Sequence, residues 1–218
     1  MLKRLLTIFL LATVLFGFIK PKEKWKSLFN GKDLRGWTQK GGKALYEVKD
    51  KAIVGTAVMG TPNSFLCTEK EYGNFILELE VKVDTLMNSG IQIRSHSKPD
   101  YKNGVVHGYQ IEIDPSTRAW SGGFYEEQGR GWLQDLKNDP TAQKAFNKYG
   151  WNKYRIEAIG SSFKTFVNGV PCTDFSDSLT ASGFIGLQVH SISKKEELDR
   201  QAIAPLQVMW RNIRIIEK

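Results

Sequence analysis

Two carboxylates stand one residue apart in the stretch GYQIEIDPS: Glu112 and Asp114. In an extended chain that spacing puts both on one face. The pair could break a sugar bond, hold calcium, or simply face water. The neighbouring segments help to choose. In SGIQIRSHS, Ile91 and Ile93 alternate with Gln92, Arg94 and His96. In GYQIEID, Tyr109, Ile111 and Ile113 alternate with Gln110, Glu112 and Asp114; in GFIGLQVHS, Ile185, Leu187 and Val189 alternate with Gly186, Gln188 and His190. Each segment has one apolar side for a core and one polar side. Lysine is absent from all three polar stripes although the chain is rich in it. Gln, His and Arg make directed hydrogen bonds instead. The pattern predicts a concave sheet facing a ligand rather than an outer face in water.

A long stretch between Asp114 and Trp151 reads as an irregular insertion, with one helix capped by Asp139 and started by Pro140. It carries Trp120, Tyr125 and Trp132, and is expected to fold over the polar floor. Aromatic rings above Gln, Arg and Glu side chains suit a saccharide, whose C–H faces stack and whose hydroxyls need fixed partners.

These residues need a frame. Ten to twelve short alternating segments, punctuated by turns such as Asn168-Gly169, predict an all-β protein: a sandwich of two antiparallel sheets. In FILELEVKVD, Leu77, Leu79, Val81 and Val83 point to a core, and Glu78, Glu80, Lys82 and Asp84 point to water. Residues 1–20 read as a signal peptide or N-terminal anchor, with Lys3 and Arg4 ahead of the apolar run Leu5–Ile19. Residues 25–218 form the sandwich domain. The expected location is the periplasm or outside the cell. The net charge of +8 is spread along the chain with mixed signs, and no module for nucleic acid appears. No membrane contact is expected beyond the N-terminal segment. Cys67 and Cys172 are either a disulfide pair or two small buried hydrophobes.

Several motifs together, LFNGKDLRGW, NSGIQIRS, HGYQIEI, WNKYRIEAIGSSFKTFVNGV and GFIGLQVHS with WRNIRI, resemble the 3-keto-disaccharide hydrolase family over about residues 25–218. The resemblance implies a concanavalin-like jelly-roll sandwich, export, and a catalytic domain acting on 3-keto-disaccharides or 3-keto-glucosides. Some jelly-roll glycosidases carry a Glu-x-Asp-x-x-Glu strand. Here Thr117 occupies the last position, which disfavours an ordinary double-carboxylate mechanism unless Glu126 or Glu127 replaces it.

A 3-keto sugar asks for less. The ketone acidifies the proton on C2, a base removes it, the group on C1 departs, and water adds to the double bond. Glu112, Asp114 and His190 are the candidate bases and acids, and Arg94 the candidate holder of enolate charge. Gln92, His96, Gln110, Trp120, Tyr125, Trp132 and Gln188 are the candidate sugar contacts. No cofactor is fixed by these motifs. A divalent metal ion, held among His96, His107, Glu112, Asp114 and His190, would polarise the ketone equally well. The main rival is a non-catalytic carbohydrate-binding module of the same fold. A surface protein without a ligand and a conventional glycosidase are the others.

Overall fold

The computed structural model describes residues 24–218. The expected leader or anchor, residues 1–20, lies outside the described residues. Two antiparallel sheets face each other. The first contains β1 (Lys26–Ser27), β3 (Leu45–Lys49), β4 (Ala52–Thr56), β6 (Phe75–Val83), β11 (Asn152–Ile159), β12 (Ser162–Val167), β13 (Val170–Ser176) and β15 (Gln207–Glu217). Its order is β13-β12-β11-β6-β15-β4-β3, with β1 added on β15. The second contains β2 (Trp37–Gly41), β5 (Ser64–Thr68), β7 (Ser89–His96), β8 (His107–Ile113), β9 (Phe124–Glu127), β10 (Gly131–Gln134) and β14 (Phe184–Val189), in the order β10-β9-β8-β7-β14-β5-β2. This is the jelly-roll sandwich.

Alternation builds the core. Leu77, Leu79 and Val81 of β6 and Tyr154 and Ile156 of β11 meet Ile91, Ile93, Tyr109, Ile111, Ile185 and Leu187 from the second sheet, all essentially without exposure. Each such side chain contributes about 1.5–3 kcal/mol by leaving water. The same alternation sends Gln110, Glu112 and Gln188 to the opposite, concave face of the second sheet.

Two bulges interrupt that simple count. On β15 the register shifts between Arg211 and Arg214, with Asn212 at φ 53°, so Trp210 and Ile213 both reach the core. On β7 the register shifts between Ile93 and His96, where Arg94 adopts φ 46° opposite Gly108. Gly108 itself has φ 125°, and a Cβ there would lie 2.9 Å from the Ser95 Cα, so glycine is required. A bulge of this kind re-aims every side chain beyond it.

The stretch from Asp114 to Trp151 is more regular than expected. It holds the β9–β10 hairpin, which widens the second sheet, and α1 (Pro140–Gln143). Asp139 caps α1 by accepting from the backbone N–H of Thr141 and Ala142 at 3.0 and 2.9 Å, but the helix stops after one turn. A second helix, α2 (Lys195–Ile203), was not expected. Its signals are present in the sequence: a run of helix formers, Glu197 receiving the backbone N–H groups of Ser193 and Lys194, and a stop before Pro205. No described helix is long and apolar enough to cross a membrane. Cys67 and Cys172 are both buried and both free, on strands of different sheets. Burial pushes the thiols up to about 12 and about 11, which leaves them unreactive.

Candidate active site

The concave face of the second sheet forms a polar hollow of about 340 Å³. Its floor follows from register. Glu112 on β8 pairs with Gly90 on β7, and Gln110 pairs with Gln92. Gly90 keeps the centre open, because a Cβ there would strike the Gln110 side chain at 2.4 Å. Gln188 on β14 also lines the hollow.

A directed chain of hydrogen bonds runs under this floor. The Ser95 hydroxyl donates to Gln92 Oε1 at 2.7 Å, the Gln92 amide donates to Gln110 Oε1 at 2.6 Å, and the Gln110 amide donates to Glu112 Oε2 at 3.1 Å. Glu112 also accepts from the Asn88 amide and, at 3.0 Å, from Arg118 Nη2. These donors favour the carboxylate, but burial opposes it more strongly and Asp114 adds repulsion. The Glu112 carboxyl is pushed up to about 7. A carboxyl that changes charge near neutrality is suited to proton transfer.

Arg118 is the cation of the site. Its Nε donates to Asp114 Oδ2 at 2.7 Å while Nη2 reaches Glu112, and its guanidinium lies 5.0 Å from the rings of both Trp120 and Trp132. A guanidinium has five N–H groups, and two are used in these bonds, so others remain for a substrate oxygen. Asp114 receives the backbone N–H of Ser116 at 3.0 Å as well as Arg118. Although burial raises its pKa, these bonds outweigh it and hold the carboxyl below its ordinary value. Both Asp114 oxygens are engaged, so its geometry is that of a group holding Arg118 in place.

His190 stands at the edge of the hollow. Its Nδ1 lies 2.7 Å from the Ser191 carbonyl oxygen. A carbonyl only accepts, so Nδ1 carries the proton of that bond and Nε2 is the atom left for a substrate. Glu127, at the other flank, is also buried, and burial raises its carboxyl. It accepts from the Asn63 amide at 3.4 Å. Gln188 is fully buried, and neither polar atom of its side chain has a hydrogen-bond partner among the described residues. Such a group in a polar hollow is a ready partner for a hydroxyl.

The structure brings together Gln110, Glu112, Tyr125, Trp132, Gln188 and His190 around this hollow. It places Gln92 just beneath and Trp120 behind, edge-on to Trp132 at 4.8 Å. Arg94 and His96 do not belong to it. The bulge turns Arg94 away, so that it donates to the carbonyls of Gly73 and Gly160 at 2.8 and 2.7 Å and lies 4.9 Å over Phe163. It ties loops at one end of the sandwich, and Arg118 is the cation beside Glu112 instead. His96 sits past the bulge, 6.1 Å from the His107 ring and in a separate hollow with Thr38 and Glu69. Among the described residues, no three His, Cys, Asp or Glu side chains are gathered in a way that could hold a metal ion. The expected ligand set is divided: His96 and His107 lie together, and Asp114 is taken by Arg118. Of the two replacement carboxylates, Glu127 lines the hollow while Glu126 pairs with Arg130.

Sequence reasoning missed Arg118, Asn88 and Asn63, and named Glu127 only as a replacement carboxylate. Arg118 had a signal: it lies four residues after Asp114 in a tight turn, where a pairing can close.

The fold is that of several solved carbohydrate-related proteins. A candidate glycosyl hydrolase from Parabacteroides distasonis is 20% identical, with 89% of this chain and 94% of that one covered and a TM-score of 0.60. The carbohydrate-binding module CBM66 from Bacillus subtilis is 18% identical over 84% and 96%, with a TM-score of 0.59. The β-glucanase of Bacillus licheniformis is 13% identical over 90% and 98%, with a TM-score of 0.58. Identities this low show a common fold alone. No curated protein matches the chain. Residues 24–216 match one family along nearly their whole length, and the chain belongs to it: the 3-keto-alpha-glucoside-1,2-lyase-like domain.

Proposed function

We propose that this protein cleaves the glycosidic bond of 3-keto-disaccharides or 3-keto-glucosides by elimination followed by hydration. The observation that carries the reading is Glu112: a buried carboxyl, pushed up to about 7, facing a polar hollow beside the guanidinium of Arg118. Glu112 takes the proton from C2 of the keto sugar. Electrons move into the ketone, and the enolate oxygen is held by spare N–H groups of Arg118 and by the Gln188 amide. The enolate then reforms the ketone, a C1–C2 double bond forms and the C1–O bond breaks. His190, protonated at Nε2, gives that proton to the leaving oxygen. In the second half His190 takes a proton from water, the hydroxide adds to C1, and Glu112 returns its proton to C2. Atoms and protons balance, and both residues end as they began. Tyr125 and Trp132 supply the stacking wall.

Family membership and the hollow's chemistry support this reading. The basic start and apolar run at the N-terminus support action in the periplasm or outside the cell. A non-catalytic sugar-binding role is the second reading, favoured by the fold shared with a carbohydrate-binding module.

The test is release of glucose from 3-keto-trehalose and from trehalose, each with and without chelator. Release from the keto sugar alone is expected. Equal release from both would point to an ordinary glycosidase. Silence on a panel of keto sugars that nevertheless bind would establish the binding role.

A further inference from the structure

A second and larger hollow, about 710 Å³, adjoins the first. It lies between the β6–β7 connection (Thr85, Leu86), the turn after β8 (Ser116, Thr117), Lys148, and the approach to α2 (Ser193). Asn88, Arg118 and His190 line both hollows and so mark their junction.

The two linings differ in kind. The inner one has Tyr125 and Trp132; the outer one has no Phe, Tyr or Trp and is rich in hydroxyls and charged groups. Lys148 is half-buried there, and among the described residues no acidic side chain pairs with its ammonium. At pyranose scale a hollow of this size holds a whole ring. A planar aryl group would find nothing to stack on, whereas a polyhydroxylated ring would find donors and acceptors on several sides.

We infer that the outer hollow is the leaving-group subsite, that it selects a hydroxylated ring, and that Lys148 is a specificity-determining contact. The scissile bond then crosses the junction, with C1 and C2 over Glu112 and the leaving oxygen beside His190. This rests on the proposed lyase–hydratase reading and assigns the other half of its substrate.

The experiment uses the whole chain. The ratio of kcat/KM for 3-keto-trehalose to that for methyl 3-keto-α-glucoside is measured in wild type and in Lys148→Ala. The ratio should fall by about tenfold, the scale of one lost charge-assisted hydrogen bond. An unchanged ratio overturns the subsite. Binding is measured in parallel by calorimetry in the Glu112→Gln background, where turnover cannot interfere. There Lys148→Ala should weaken 3-keto-trehalose about tenfold, and phenyl 3-keto-α-glucoside should bind more weakly than 3-keto-trehalose. Equal binding of the phenyl compound overturns the preference for a hydroxylated ring. A protein that binds but cleaves neither sugar refutes the reaction, and the Lys148 effect on binding still decides the subsite. Failure to bind either sugar overturns both.

Discussion

Glu78 and Glu112 invite comparison. Each sits within a strand on the outward side of its sheet, each is nearly buried at 6% and 4% exposure, and each touches arginine. Glu78, on the first sheet, meets Arg214 at 2.6 Å, Lys153 at 3.0 Å and Arg155 at 3.1 Å. Burial pushes its carboxyl up, but the three cations more than offset this and the net shift is downward. Among the described residues Glu112 meets one cation, Arg118, and Asp114 shares it. There burial wins, and the carboxyl rises to about 7. A surface hollow of about 420 Å³ lies beside Glu78 too, walled by Trp25 and Arg214, but its carboxylates are already neutralised. Burial does not make a reactive group; burial with too few counter-charges does.

Changing the two glutamates should therefore have opposite consequences. The largest effect is expected from Glu112→Gln: a loss of about 10³ in kcat on a 3-keto-glucoside, with substrate still bound. In wild type, kcat/KM should rise with pH through about 7 as Glu112 ionises. The sign for stability is the reverse. Because folding raises this carboxyl above 4.5, its contribution is full below about 4.5 and is lost as pH rises through about 7. Glu112→Gln should flatten that slope in denaturant titrations at several pH values. A variant that keeps full turnover would remove Glu112 from the chemistry.

Next comes Arg118→Gln. A drop of about 10–100-fold in kcat is expected, together with movement of the acidic limb above its wild-type position, because Arg118 opposes the rise in the Glu112 pKa. A limb that stays in place would mean the ion pair is not what tunes Glu112.

Arg94→Met should act on the fold alone. Three carbonyls and Asn74 lose their donor, at a cost of about 3 kcal/mol in urea unfolding, while kcat changes less than about twofold. A collapse of activity at unchanged stability would reinstate Arg94 in the site.

Glu78→Gln should be mildest. Its partners are partly in water, so about 1 kcal/mol of stability is expected to go. Folding lowers this carboxyl, so its contribution is present above about 4.5 and lost as pH falls through the lowered value. Calorimetric Tm against pH should show that acid limb weakened in the variant, with turnover unaltered.

How far the sequence could be read depended on backbone regularity. Glu112, Gln110 and Gln188 were legible because period-two alternation holds without interruption along β8 and β14. It fails on β7 at the bulge. Nothing in SGIQIRSHS signals that Arg94 takes a left-handed conformation, and the required Gly108 lies on the partner strand. Arg94 and His96 were misplaced for that single reason. The β9–β10 hairpin was obscured by glycines that suggested irregular chain, although Trp132 pairs with Tyr125 in register. Arg118 could be seen only once the turn after Asp114 was folded, since its role depends on reaching two carboxylates at once.

Asn63 donates its side-chain amide to Glu127 across the mouth of the hollow. This bond joins β9 to the residue just before β5, although three strands lie between them in the sheet. The sheet is thus curled until its flanks touch, and the trough becomes a pit. If a sugar occupies it, a long polysaccharide cannot thread across; only an end ring can dip in. On the proposed lyase–hydratase reading, such a pit would admit termini one unit at a time, and digestion of an oxidised oligosaccharide should yield progressively shortened chains rather than mid-length fragments.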